Sequence, residues 1–252
     1  MSKKLIIGNW KMNFNMHEAS LYLHKLMSML ATHRDVEVVV SPTMLTLQSL
    51  SLQVNRRIAK LAAQNCYWRD QGAYTGEVPV AHLRGIADYV LIGHSERRHI
   101  FIESEKDIRL KVQAAIRNRI KPVLCIGETI NEKTLGETKD VLVDQLVSGL
   151  ANITAEEMEN VIIAYEPVWA IGTGEKARLD DVRQVVQIIR QQITQLYGRK
   201  AAEQVKVLYG GSIDVDSAAD YLRIAKLDGL LIGTASIDAH KFTQIVEKAH
   251  KI

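Results

Sequence analysis

Short apolar runs recur along the chain, separated by longer stretches in which apolar residues return every three or four positions. Eight runs stand out: Leu5-Ile6-Ile7, Val36-Glu37-Val38-Val39-Val40, Ile58-Ala59-Lys60-Leu61-Ala62-Ala63, Tyr89-Val90-Leu91-Ile92, Val123-Leu124-Cys125-Ile126, Val161-Ile162-Ile163-Ala164-Tyr165, Val205-Lys206-Val207-Leu208-Tyr209 and Leu230-Leu231-Ile232. Their shortness and β-branched content suit parallel strands covered on both faces. Between them, Ala19, Tyr22, Leu23, Leu26, Met27 and Leu30 share one helical face, as do Ile108, Val112, Ala115 and Ile116. Val182, Val185, Val186, Ile189, Ile193 and Leu196 form the longest stripe, and Phe242, Ile245, Val246 and Ala249 form the last. The alternation predicts βαβ units, and eight of them in 252 residues predict a single-domain α/β fold, a (β/α)8 barrel over residues 1–252. A doubly wound open sheet uses the same alternation, but no run is followed by a complete Gly-x-Gly-x-x-Gly fingerprint.

Composition changes this picture little. The chain is 47% hydrophobic, enough for a large core, and 24% charged, the ordinary share. The net charge of +3 comes from Lys and Arg scattered among acids, with no long basic run. That patterning predicts a solvated surface and no nucleic-acid face, while a mild positive balance helps attract a small anion. Cys66 and Cys125 have neither metal-ligand spacing nor a disulfide pattern, which points to a reducing cytoplasm. The first apolar run is too short for a signal peptide, and no segment is apolar enough to span a bilayer. No Pro-, Gly- or Ser-rich linker marks a domain boundary.

Candidate chemistry collects immediately after the runs. Asn9 and Lys11 follow the first, Gln64 and Asn65 the third, His94-Ser95-Glu96 the fourth and Glu128 the fifth. Glu166 ends the sixth, Gly210-Gly211-Ser212 follow the seventh and Gly233-Thr234 the eighth. In a parallel barrel these strand ends meet at one mouth. The richest segment is Ala164-Tyr165-Glu166-Pro167-Val168-Trp169-Ala170-Ile171-Gly172-Thr173-Gly174. A strand has no need to end in a carboxylate; Pro167 ends the pairing, and the glycines permit backbone angles other residues resist. This predicts a base on a rigid strand beside a mobile cover.

These motifs resemble the triosephosphate isomerase family over the full chain. The resemblance is carried by Asn9-Trp10-Lys11-Met12-Asn13, Ala63-Gln64-Asn65-Cys66, Gly72-Ala73-Tyr74-Thr75-Gly76-Glu77-Val78 and Ile92-Gly93-His94-Ser95-Glu96-Arg97-Arg98. Cys125-Ile126-Gly127-Glu128, the segment around Glu166 and Tyr209-Gly210-Gly211-Ser212 complete it. The resemblance implies a TIM barrel that interconverts dihydroxyacetone phosphate and D-glyceraldehyde 3-phosphate through an enediolate, without metal or organic cofactor. It implies Glu166 as base, His94 as electrophile, Lys11 and Asn9 as partners of the substrate oxygens, and Glu96 as the residue holding Lys11. A helix start after His94 disfavours the imidazolium, an effect for which this family is itself the known case. Gly172, Gly211, Ser212, Gly233 and Thr234 are expected to hold the phosphate through backbone N–H groups. The segment 167–177 is expected to act as a lid. The loop carrying Thr75 is expected to enter a second copy in a cytoplasmic homodimer.

The chain departs from the family pattern in two places near the site. Thr234 stands where a second Gly is usual, and a β-branched residue resists positive φ. Glu175-Lys176-Ala177 replaces the usual Lys-Thr-Ala at the end of the lid. The rival readings are another phosphate-binding barrel isomerase and a catalytically silent phosphate-binding barrel.

Overall fold

The computed structural model describes residues 3–172 and 174–252; Thr173, part of the expected lid, lies outside the described residues. The strands are β1 (Lys4–Asn9), β2 (Val36–Ser41), β3 (Lys60–Ala63), β4 (Tyr89–Ile92), β5 (Lys121–Ile126), β6 (Ile162–Tyr165), β7 (Lys206–Tyr209) and β8 (Gly229–Ile232). They pair in parallel and in chain order, and β8 returns to β1 to close the barrel. The helices are α1 (Met16–Met29), α2 (Met44–Ser51), α3 (Ser95–His99), α4 (Glu105–Arg117), α5 (Ile130–Thr134), α6 (Thr138–Gly149), α7 (Leu179–Gln204), α8 (Val215–Leu222) and α9 (Ala239–His250). The (β/α)8 TIM barrel expected from the alternation is therefore the fold.

The near-continuous apolar runs follow from two cores that share the strands. Leu5, Ile7, Val39, Leu91, Val123 and Leu231 belong to one buried cluster. Their neighbours Ile6, Val38, Val40, Val90, Leu124 and Leu230 belong to another, which includes the helices. Side chains alternate across a strand, so the first set fills the barrel and the second faces the helical layer. A strand buried on both sides has few positions for solvent-seeking residues, and those present sit near the strand starts, as Glu37 and Lys60 do in their ion pair.

Local chemistry sets the boundaries. Asn15 caps α1 by accepting from Glu18 N–H, and the Glu18 side chain returns the bond, a reciprocal cap. Two readings shift. The run starting at Ile58 pairs only from Lys60, because Ile58 and Ala59 turn back to the Asn55 carbonyl. Leu196, placed on the α7 stripe from the sequence, is 42% exposed, while Tyr197 packs on the core. Just beyond, α7 breaks at Gly198, whose φ of 85° only glycine adopts readily. No helix among the described residues is long and apolar enough to cross a membrane.

Closure of the barrel demands close backbone approach at one residue. A Cβ on Gly229 would lie 1.8 Å from the Leu5 carbonyl oxygen, inside the β8–β1 pairing. Gly229→Ala is therefore expected to cost about 3 kcal/mol or more, the upper end for overpacking. Urea unfolding measures it, and a midpoint equal to the parent's would show that the seam yields without strain.

Candidate active site

The strand ends bring the expected residues around one cavity of about 340 Å³. Asn9, Lys11, His94, Glu166, Gly172, Gly211, Ser212, Gly233 and Thr234 all line it. The size suits a small ligand. Glu96 sits one step behind, where its Oε1 holds Lys11 Nζ at 2.6 Å.

Lys11 occupies a strained position. Its φ of 51° is in the left-handed region, which costs a non-glycine residue energy and persists only when neighbours hold it. Asn9 Oδ1 accepts from its backbone N–H at 3.0 Å, and Gln64 Nε2 donates to its carbonyl at 2.8 Å and to that of Ser41 at 2.9 Å. Backbone and ammonium are thus fixed from both sides. With Oδ1 committed to Lys11, the Asn9 amide nitrogen is left to donate into the cavity.

His94 caps α3, with Nδ1 accepting from Glu96 N–H at 3.3 Å. That bond places the proton of a neutral ring on Nε2, which lies 3.0 Å from Glu166 Oε1. Glu166 Oε2 accepts from Ser95 N–H at 3.0 Å. Both side chains are buried, Glu166 to 2% exposure. Arg98 secures the turn that carries His94, donating to the Gly93 carbonyl at 2.7 Å and to that of Cys125 at 3.0 Å.

Titration in this arrangement is a contest between burial and pairing. For Glu166, burial pushes upward and is the largest single influence, but the facing imidazole, Ser95 N–H and Lys11 outweigh it. The carboxyl is held below its ordinary value. Burial pushes His94 down, and the carboxylates of Glu166 and Glu96 bring it above its ordinary value. The helix start is expected to disfavour the imidazolium; with the carboxylate in contact the direction is the opposite, because α3 has only five residues and Glu166 faces the imidazole directly. The shifts belong to the pair and lapse for either group once the other moves away.

Several residues matter here to which the sequence assigns no role: Glu128 and Gly210 stand among the strand-end residues and Gly127 in a motif, whereas Asp214 and Lys241 stand in neither. A Cβ on Gly127 would lie 1.8 Å from the Glu166 carbonyl oxygen, and one on Gly210 would lie 3.0 Å from Glu166 Cγ. These glycines let neighbouring strand ends close on the carboxylate. Glu128 is buried and accepts from Trp169 Nε1 at 2.8 Å and from Tyr165 Oη at 3.0 Å. It also accepts Val168 N–H on its carbonyl at 3.1 Å, so it anchors the start of the expected lid. Asp214 lines the cavity but is paired with Lys176 at 2.6 Å, which tethers the unusual end of that segment. Lys241, on the first turn of α9, lines the same cavity and adds a cation that no strand-end motif announces.

The glycine readings have specific grounds. Gly172 and Gly174 have φ of 72° and 80°. A Cβ on Gly211 would lie 2.2 Å from Tyr209 Oη. Thr234 opens a short 3-10 turn, Thr234–Ile237, and is not among the residues of positive φ, so its β-branch meets no backbone penalty there.

A (β/α)8 barrel with a buried glutamate–histidine pair at the strand-end mouth, the place where barrel enzymes carry their active sites, is what this layout defines. Comparison with known proteins gives the family: a family model described as triosephosphate isomerase matches residues 4–249, and the chain belongs to that family. The chain is 39% identical to the triosephosphate isomerase of Chloroherpeton thalassium over 251 residues, covering 99% of this chain and 100% of that one. It is 41% identical to that of Carboxydothermus hydrogenoformans over 248 residues, covering 98% and 99%. For that of Clostridium perfringens the identity is 38% over 247 residues, covering 98% and 99%.

The close approach at Gly127 yields a test. Gly127→Ala should push Glu166 away through its backbone while replacing no side chain of the cavity. A displacement of ~1 Å can cost about a hundredfold in rate. Turnover should fall by that order in a protein that still folds by circular dichroism; unchanged turnover would mean that the contact does not position Glu166.

Proposed function

We propose that the protein interconverts dihydroxyacetone phosphate and D-glyceraldehyde 3-phosphate, with Glu166 as the proton-transferring base. The observation that carries this reading is the buried Glu166–His94 pair, 3.0 Å apart in the cavity that Lys11 also lines. Substrate displaces the carboxylate from His94 Nε2. Freed from the imidazole, Glu166 loses the attraction that holds its pKa down, and burial then raises its affinity for a proton. Glu166 removes a proton from C1 of dihydroxyacetone phosphate as His94 Nε2–H protonates the carbonyl oxygen on C2. The resulting enediol returns its other hydroxyl proton to the imidazole while protonated Glu166 delivers a proton to C2, which leaves the aldehyde. Lys11 and Asn9 stabilise negative charge on the oxygens as it develops.

The phosphate is held by backbone N–H groups of Gly172, Gly211, Ser212, Gly233 and Thr234, with Lys241 and the Thr234 hydroxyl as additional partners. The segment 167–177 covers the substrate and retains the reactive intermediate, a use of lids for which this family is the known example. Its first hinge leaves Glu128 to make that movement. We read residues 1–252 as one functional unit of the cytoplasm.

A homodimer completes the reading. Met12, Leu45, Tyr74, Ile100, Phe101 and Ile102 follow strands β1 to β4, which are adjacent in the barrel, and are 40 to 95% exposed. An apolar surface of this extent on one side of the mouth supports burial against a second copy, with the loop of Thr75 entering it.

The test of the activity is a steady-state assay with each triose phosphate as substrate, on the parent and on Glu166→Asp. Shortening the carboxylate by one methylene should lower kcat about a hundredfold with little change in KM. Conversion by neither protein would leave a catalytically silent phosphate-binding barrel, and full turnover by Glu166→Asp would remove Glu166 from the role.

For the dimer, Thr75→Arg would have to bury an unpaired charge in the partner copy. Sedimentation should then give a monomer of low activity, whereas an active dimer would mean that this loop stays outside the interface.

A further inference from the structure

A second cluster of ligand atoms lies at the end of the barrel opposite the cavity. His33 and Asp35 precede β2, so they sit at the N-terminal rim of the strands. Glu247 and His250 lie one turn apart at the end of α9, on the same face of that helix. His33 Nε2 is 2.8 Å from Glu247 Oε1, and His250 Nδ1 is 2.8 and 3.0 Å from the two Asp35 oxygens. The two imidazoles stack with centroids 4.0 Å apart. One ligand atom each from His33, Asp35 and His250 falls within a mutual span of 4.8 Å.

We propose that His33, Asp35, Glu247 and His250 bind a divalent transition metal of the zinc class, which ties the end of α9 to the connection between α1 and β2. The donor set favours this class. Two imidazole nitrogens and two carboxylate oxygens make a borderline set that suits zinc and its neighbours, whereas calcium and magnesium take oxygen ligands and waters. Charge agrees: two carboxylates and two neutral imidazoles balance a divalent cation.

Ligands on one tetrahedral zinc at about 2.1 Å stand ~3.4 Å from one another. The nitrogen–oxygen separations of 2.8 Å within each pair would open by about half an ångström as metal replaces the shared protons, while the ligand atoms of His33, Asp35 and His250, spread within 4.8 Å, draw together and Glu247, outside that span, swings in beside His33. The stacked rings must also turn their nitrogens toward a common point. Side-chain exposures of 53% for Asp35 and 44% for His250 leave room for that rotation, while His33, at 10%, is the fixed member. The expectation that the reaction uses no metal is untouched, because this cluster lies at the other end of the strands from Lys11, His94 and Glu166.

The test uses the full chain after chelator treatment, titrated with Zn²⁺ in competition with a chromophoric zinc indicator. One Zn²⁺ per chain should bind at micromolar metal and raise the melting temperature. His33→Ala and His250→Ala should each abolish that binding and the thermal shift, with circular dichroism and isomerase turnover unchanged. Asp35→Asn provides a near-isosteric variant that should weaken binding in the same way. His17→Ala, an exposed histidine elsewhere on α1, should bind as the parent does. Absence of stoichiometric binding in the parent would overturn the proposal and leave two hydrogen-bonded ion pairs. Binding retained when His33 and His250 are both replaced would also overturn it, because the metal would then sit elsewhere.

Discussion

Return of β8 to β1 is the constraint on which the rest of this molecule depends. A closed parallel sheet has no edge strands, and it forces every strand to deliver its C-terminal end to the same rim. Asn9 and Lys11 become neighbours of Gly233 only because Leu5 to Gly8 pair with Gly229 to Ile232. The seam is tight enough to require glycine at residue 229, where the Leu5 carbonyl occupies the space of a side chain. The geometry of the cavity and the stability of the barrel thus rest on the same backbone contact.

At the mouth, precision comes from backbone as much as from side chains. The Glu166 carboxylate is fixed at one oxygen by His94 and at the other by Ser95 N–H, and its main chain is pressed against Gly127. Lys11 is held in a left-handed conformation by Asn9 and Gln64 while Glu96 takes its ammonium. Strain of about 1–3 kcal/mol at such a residue is tolerable when several hydrogen bonds hold it, and the large shared core supplies the stability it draws on. Residues from β1, β3 and β4 cooperate in placing one charge, so no single loop carries the site.

The sequence made the barrel and the main site residues legible for a physical reason. Strands buried on both faces are apolar towards their C-terminal ends, so polar residues such as Asn9, His94 and Glu166 stand out where each run stops. What stayed hidden depends on contacts between chain segments far apart in sequence. Gly127 and Gly210 look like ordinary loop glycines until their distance from Glu166 is known. Lys241 lies on a helix face with no strand-end signal. Leu196 satisfied the helical period, yet the break at Gly198 and the packing of Tyr197 turned it outward. The direction of titration at His94 was hidden for the same reason: the residue that decides it, Glu166, comes from a strand two places away in the barrel.

The departures from the family pattern are accommodated by neighbours. Thr234 occupies a turn whose backbone has no need of glycine, and its hydroxyl and Lys241 add polar groups where a bare glycine offers only its N–H. Lys176, at the far end of the segment expected to act as a lid, is paired with Asp214 on the loop after β7. That pair removes a negative charge from the face of a cavity suited to an anion, because the Asp214 carboxylate is taken up by the lysine. It also ties the segment around Lys176 to the loop that carries Gly211 and Ser212. Exposed on both sides, the pair contributes little to folding; its consequence is that link between the segment around Lys176 and the loop after β7.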